Sequence, residues 1–126
     1  MQAVDTNVLV RLLVRDDPHQ TASAETFVAK GAWVSILVLA ETSWVLTTIY
    51  RLTGKELAQV VEMLLNHQVL VLQDAETVSA ALVQFRAKPA VGFSDCLILQ
   101  LASRSGHLPL GTFDRNLAKL EGTKKL

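Results

Sequence analysis

Residues 1–34, MQAVDTNVLVRLLVRDDPHQTASAETFVAKGAWV, contain the pattern that decides the fold. A short apolar strand, Gln2–Val4, precedes a helix, Asn7–Arg15, in which apolar side chains recur at helical spacing. A second helix follows and ends at Gly31, and a second apolar strand, Ala32–Val34, comes next. Two strands joined through helices are typical of a parallel crossover, so this stretch predicts a parallel sheet.

Polar side chains mark where the helices begin. Asp17 can act as an N-cap with Pro18 in the first turn, and Ser35 is a second candidate cap. Thr53 with Glu56 three residues later matches a capping box, which predicts a helix to about residue 66.

The alternation of strands and helices continues to the end of the chain. The remaining predicted elements are a strand at Val69–Gln73, a helix from Asp74 to Lys88, a helix at Asp95–Ser105, a strand at His107–Gly111 and a helical turn at Asn116–Leu120. The tail, Gly122–Leu126, is short for a complete last strand. Because the strands are apolar runs without alternation, we predict an α/β fold with helices on both faces of a mostly parallel sheet.

Length and composition limit the class of protein. A chain of 126 residues predicts one domain over residues 1–126, and 50% hydrophobic residues exclude a disordered chain. The lone Cys96 excludes an intrachain disulfide scaffold. The N-terminus lacks the cationic start of a secretory signal, and the one membrane candidate, residues 31–50, contains Glu41. We therefore predict a strand and a helix there, and a soluble cytoplasmic protein.

Four acidic residues interrupt apolar stretches or follow predicted strands. Asp5 closes the first strand, Glu41 lies in the helix after the second, Asp95 opens a helix, and Asp114 follows the fourth strand in GTFD. Ligand sites of open parallel sheets lie beyond the carboxyl ends of the strands, so we expect the four carboxylates at one end. We also expect Glu41 and Asp95 to be partly buried. Each residue has an ordinary alternative role, such as a helix cap or a turn.

A cluster of carboxylates requires a cation. Two carboxylates about 4 Å apart repel by about 4 kcal/mol at an effective dielectric near 20. Oxygen ligands suit Mg²⁺ or Mn²⁺, whereas zinc is disfavoured because Cys96 is alone and the three histidines lack ligand spacing. Without the four acids, 12 basic residues face 8 acidic ones, which favours a nucleic-acid substrate. The residues thus indicate metal-assisted hydrolysis of a phosphodiester.

Four sequence blocks resemble one known family. VDTNVLVRLL near the start, AET at residue 41, FSDCLILQLAS around residue 95 and GTFDRNL near residue 114 are similar to PIN-domain ribonucleases, in particular VapC-type toxins of type II toxin–antitoxin systems. The resemblance implies a three-layer α/β/α sandwich with a central, mostly parallel sheet of four to five short strands. It also implies Mg²⁺- or Mn²⁺-dependent cleavage of RNA, a homodimer and a cognate antitoxin that blocks the site.

The resemblance assigns roles to the four acids. Asp5, Glu41, Asp95 and Asp114 would form the acidic catalytic pocket, with Asp5 and Asp95 as direct metal ligands. Glu41 and Asp114 would bind metal directly or through water, or would orient the attacking water.

Further polar residues accompany the acids in the same blocks. Asn7 and Thr112 match the polar positions beside the first and fourth acids and would hold carboxylates or waters. Arg86 and Arg115, close in sequence to the later acids, are candidates for RNA contact.

Two other functions remain open at this stage. A catalytically silent PIN-like module would act only through protein contacts, and a receiver-type phosphoacceptor domain would also place acids around Mg²⁺. A receiver needs a lysine after a late strand, whereas Asp114 and Arg115 stand there. The apolar helices over residues 8–14, 21–28 and 57–65 are candidates for a dimer or antitoxin surface.

Overall fold

Strands and helices alternate along the chain, as the apolar runs predict, in a computed structural model that describes residues 1–126. The α-helices are α1 (Thr6–Val14), α2 (Pro18–Val28), α3 (Ile36–Thr48), α4 (Gly54–Leu65), α5 (Ala75–Ala87) and α6 (Phe93–Arg104). The strands are β1 (Gln2–Ala3), β2 (Ala32–Val34), β3 (Leu70–Leu72), β4 (Leu110–Thr112) and β5 (Thr123–Lys125). Short 3₁₀ turns lie at Pro89–Val91 and Leu117–Lys119. The predicted α/β class is confirmed.

The chain divides into two compact units, unit 1 over residues 1–75 and unit 2 over residues 76–126. Unit 1 contains β1 to β3 and α1 to α4. Unit 2 contains nearly all of α5, together with α6, β4 and β5. The single domain expected over the whole chain stays a prediction.

The sheet of unit 1 has three parallel strands in the order β1-β2-β3. Trp33 of β2 lies beside Ala3 of β1 on one side and Val71 of β3 on the other. Burial alternates along these strands, since Ala32 and Val34 are buried whereas Trp33 is 38% exposed and Val71 43%. The apolar runs therefore do not give uniformly buried strands, and both residues of β1 are exposed.

The predicted helix starts of unit 1 are confirmed. The Asp17 carboxylate accepts from the backbone N–H of Gln20 at 3.0 Å, and the Ser35 hydroxyl caps α3 in the same way. Thr53 and Glu56 form the predicted capping box, because each side chain accepts from the other's backbone N–H. The hydrogen bond from the Thr53 N–H also lowers the pKa of Glu56 from its ordinary value.

The core of unit 1 lies among its helices and on one side of its sheet. Helix α1 packs against α2 and α3, and α4 packs against β3. Fully buried leucines, among them Leu9, Leu39, Leu46 and Leu64, fill these interfaces. Residues 31–50 form β2 and α3, as predicted, and none of the chain's helices has the length and apolar character needed to cross a membrane.

Unit 2 is built around α5, α6 and a second pair of parallel strands. The rings of Phe85 and Phe93 pack edge to face with centroids 5.9 Å apart. The tail forms β5, which pairs with β4 so that Thr112 lies beside Lys125. Strand β4 begins at Leu110, three residues later than predicted, because residues 107 and 108 are not paired with another strand.

Candidate functional site

Asp5 lies at the turn between β1 and α1, where it caps the helix. Its Oδ1 accepts a hydrogen bond from the backbone N–H of Val8 at 3.0 Å. The side chain is exposed, and Oδ2 forms no hydrogen bond. The ordinary role and the proposed role are therefore compatible, because one oxygen holds the helix start while the other remains available to a ligand.

Glu41 lies on the outward face of α3, which corrects the expectation that it is partly buried. The exposed residues of α3 recur at helical spacing as Leu37, Glu41, Trp44 and Thr48. The hydroxyl of Thr6 donates to Oε1 of Glu41 at 3.3 Å, which ties the carboxylate to the first turn of α1.

Thr6 is a neighbour of the candidate acids that the sequence pattern did not single out. It directly follows Asp5 and joins the start of α1 to the acid on α3. The available signal was the D-T-N run itself, since a threonine hydroxyl at a helix start can donate outward. Asn7, the next residue, is exposed.

No basic side chain neutralises the two acids of unit 1. Its ion pairs join Arg11 to Asp16 and Arg15 to Glu25, so both Asp5 and Glu41 stand outside them. Unit 1 thus presents two exposed carboxylates next to one helix start.

Asp95 lies in the first turn of α6 and is half-buried, as expected. Burial raises its pKa above the ordinary value, and the negative charge of Asp114 raises it further. An upward shift caused by a like charge means that these two carboxylates of unit 2 repel each other.

Asp114 follows β4 and is fixed by backbone hydrogen bonds. Its Oδ1 accepts from the N–H groups of Asn116 at 2.8 Å and Leu117 at 2.9 Å. Its own backbone N–H donates to Oγ1 of Thr112 at 3.0 Å, so Thr112 positions the main chain of the acid. Asp114 therefore has the turn role that the sequence left open, and its side chain remains exposed.

The other candidates of unit 2 lie at its surface or in its core. Arg115 is exposed beside Asp114, and Arg86 is exposed in the last turn of α5. Cys96 is fully buried, and burial together with the charge of Asp95 raises the pKa of its thiol to about 11. A protonated thiol is a poor metal ligand, so Cys96 is a core residue.

The donor set fits a hard divalent cation. Asp95 and Asp114 are carboxylates whose mutual repulsion a cation would relieve, and oxygen ligands suit Mg²⁺ and Mn²⁺. Neither unit alone brings three or more His, Cys, Asp or Glu side chains together as a metal cluster, and each unit contains two of the four candidate acids. In unit 1, His67 is occupied, since its Nδ1 accepts from the backbone of Val69 and Leu70.

Comparison with known proteins identifies the family. The family model described as the PIN domain matches residues 3–122, which is nearly the whole chain. No curated protein and no solved structure matches the chain.

Proposed function

The chain belongs to the PIN-domain family, an α/β/α fold whose members are generally nucleases, and we propose that it is a divalent-metal-dependent endoribonuclease. The observation that carries this proposal is the PIN-domain match over residues 3–122, and within unit 2 the charge of Asp114 adds to burial in raising the pKa of Asp95, a repulsion that a bound cation would relieve. The reaction is hydrolysis of RNA phosphodiester bonds.

Each acid has a proposed role in this reaction. Asp5 and Asp95 would hold the metal directly, and Glu41 and Asp114 would hold it directly or through water, or would orient the attacking water. The metal, Mg²⁺ or Mn²⁺, activates water and stabilises charge at phosphorus when it is bound. Thr6 holds Glu41 in place by its hydrogen bond.

The remaining polar candidates act around the acids. Thr112 fixes the turn that presents Asp114, and we propose that Asn7 holds a carboxylate or a water near Asp5. Exposed Arg86 and Arg115 are proposed to contact RNA phosphates, for which arginine is well suited.

We further propose that the protein is the toxin of a toxin–antitoxin module and acts in the cytoplasm as a homodimer. A groove of about 300 Å³ between α1, α2 and α4 supports a protein partner, because its walls include Leu12, Val28 and Met63. An amphipathic helix of an antitoxin would fit such a groove. The exposed Leu37 and Trp44 on α3 offer apolar surface for a second copy of the chain.

Cleavage of RNA by purified protein tests the nuclease proposal. We expect cleavage with Mg²⁺ or Mn²⁺, its loss with EDTA, and its loss in Asp5→Asn and Asp95→Asn proteins that retain their fold by circular dichroism. Glu121→Gln is the matched control, because Glu121 is an exposed carboxylate of unit 2 outside the proposed site.

Three results would overturn the proposal. Cleavage that persists in EDTA would exclude a metal-dependent reaction. A folded protein that binds no divalent ion at millimolar concentration would favour a silent PIN-like binding module. Uptake of phosphate from a small phosphodonor would favour a receiver-type domain.

A further inference from the structure

A cavity between α1 and α2 opens beside Asp5 and has a volume of about 320 Å³. Its walls carry Asn7, Val8 and Arg11 from α1 and Gln20, Ser23 and Phe27 from α2. A volume of this size is at the lower end of the range for small-molecule sites. It combines an apolar surface with a few polar groups, which is the usual composition of a ligand pocket.

The polar wall of this cavity is held rigidly. Nε of Arg11 donates to Oε1 of Gln20 at 2.6 Å, and Nη1 of Arg11 pairs with Asp16 at 3.1 Å. The hydroxyl of Tyr50 bonds both partners of this ion pair, since it accepts from Arg11 and donates to Asp16. Gln20 is thereby fixed with its amide oxygen occupied, and the Nε2 hydrogens remain as donors.

Charge and hydrogen bonding select the occupant. Asp5 at the mouth repels a phosphate and would attract a cation there, but the wall beside it carries the guanidinium of Arg11, whose charge Asp16 already balances, and this disfavours a second cation inside the cavity. A guanidinium or ammonium group of a protein partner has donors only, whereas the fixed Gln20 offers donors. A neutral planar group that carries acceptors satisfies these conditions.

The aromatic ring of Phe27 gives the cavity a surface for stacking. It lines the cavity and is 44% exposed, so a flat ligand can stack on it. We propose that this cavity binds one unpaired nucleobase of the RNA substrate, with the base stacked on Phe27 and an acceptor edge facing Gln20. This inference rests on the proposed ribonuclease function and adds to it a base-binding subsite beside Asp5.

The position next to Asp5 gives the pocket a consequence for specificity. If Asp5 binds the metal that engages the scissile phosphate, the pocket lies where a nucleotide next to the cut would place its base. Sequence-specific recognition of RNA uses bases that are splayed out of the stack, bound on their edges and stacked on aromatic rings. The chain would therefore prefer certain bases at one position beside the cut.

Two substrates distinguish an effect on base binding in the cavity from an effect on the metal centre. The first is a pool of single-stranded RNA whose cut sites are sequenced, and the second is bis(4-nitrophenyl) phosphate, a diester without a base. The variants are Gln20→Glu, which replaces donors by acceptors, and Phe27→Ala. His19→Gln and Thr26→Ala are matched controls on α2 that do not line the cavity.

We expect Gln20→Glu to change the base preference and Phe27→Ala to weaken it, each by about tenfold, which equals about 1.4 kcal/mol. Hydrolysis of bis(4-nitrophenyl) phosphate should stay at the level of the unchanged protein in both variants. A base preference that is identical in both variants and the controls would overturn the pocket while the nuclease stands. Absence of metal-dependent hydrolysis of either substrate would instead overturn the nuclease.

A binding measurement tests, without any cleavage reaction, whether the cavity binds a nucleobase. Adenosine, guanosine, cytidine and uridine are titrated separately into the metal-free protein while NMR follows the side-chain amides of Asn7 and Gln20. At least one nucleoside should shift both signals in a saturable way, with about tenfold weaker binding to Phe27→Ala. The proposal fails if no nucleoside shifts them, or if argininamide shifts them and the nucleosides do not.

Discussion

Replacing Asp95 by Asn should leave the stability of the metal-free protein nearly unchanged but should remove most of the stabilisation that Mg²⁺ provides. The pKa of Asp95 is raised by burial and by the charge of Asp114, so the ionised carboxylate is less stable in the folded chain than in the unfolded one. The folded state therefore binds more protons between the two pKa values, and stability falls as pH rises through the folded pKa. Asn cannot ionise and removes this loss.

The magnitude follows from the surroundings of the side chain. Asp95 is half-buried, so solvent screens the repulsion and we expect Asn to gain less than about 1 kcal/mol at pH 7. The substitution also loses the attraction of a carboxylate for a helix N-terminus, about 0.3–1 kcal/mol. The metal-free variant should thus match or slightly exceed the unchanged protein in stability at pH 7. Its relative stability should fall toward pH 3.

In the presence of Mg²⁺ the unchanged protein should be more stable than Asp95→Asn. At a Mg²⁺ concentration ten times the dissociation constant, a bound ion adds about 1.4 kcal/mol to the stability of the folded protein. For a chain of this length that raises Tm by about 5 °C. Asp95→Asn should lose most of this shift, whereas Glu121→Gln should retain it.

Thermal unfolding followed by circular dichroism measures these quantities. Scans in EDTA and in Mg²⁺ at pH values from 3 to 7 show how the stability of each protein depends on pH and on bound metal. A metal-free variant destabilised by much more than 1 kcal/mol at pH 7 would show that Asp95 is a structural anchor and not a repelled ligand. A Mg²⁺ shift equal to that of the unchanged protein would remove Asp95 from the metal site.

Three other substitutions or probes test the fold around the site. Thr53→Ala removes the cap of α4 and should lower the free energy of unfolding by about 1 kcal/mol, measured in urea, without changing RNA cleavage. Thr42→Val should raise it by about 1 kcal/mol, because the Thr42 hydroxyl is buried without a hydrogen-bond partner; a loss of stability would contradict this. Cys96, fully buried and with its thiol pKa raised to about 11, should react with a disulfide reagent at pH 8 only after unfolding.

Local features of the structure were predictable from sequence because their causes are local. The caps at Asp17, Ser35 and Thr53 each depend on a side chain and a backbone N–H three residues away, and all three were confirmed. The parallel pairing of β1, β2 and β3 followed from the helices that connect them. The meeting of all four acids at one site stays a prediction.

Burial was predicted less well, because it depends on which neighbours cover each face. Trp33 and Val71 belong to strands predicted from apolar runs without alternation, yet burial alternates along them and both side chains are exposed. The hydrogen bond from Thr6 to Glu41 could not be predicted either, since it joins residues 35 positions apart whose approach is fixed by the packing of α1 on α3.

The error about Glu41 has a physical consequence for function. The apolar residues around Glu41 suggested a buried acid, but the exposed face of α3 includes both Leu37, 69% exposed, and Trp44, 58% exposed. Such side chains gain nothing from the core of unit 1, and their exposure costs the folded chain the transfer free energy that burial would supply. The carboxylate of Glu41 thus lies between two exposed apolar side chains, each about one helical turn away. Binding of a second copy or an antitoxin on this face would therefore cover Glu41 directly, and so would couple assembly to access to the proposed catalytic acid.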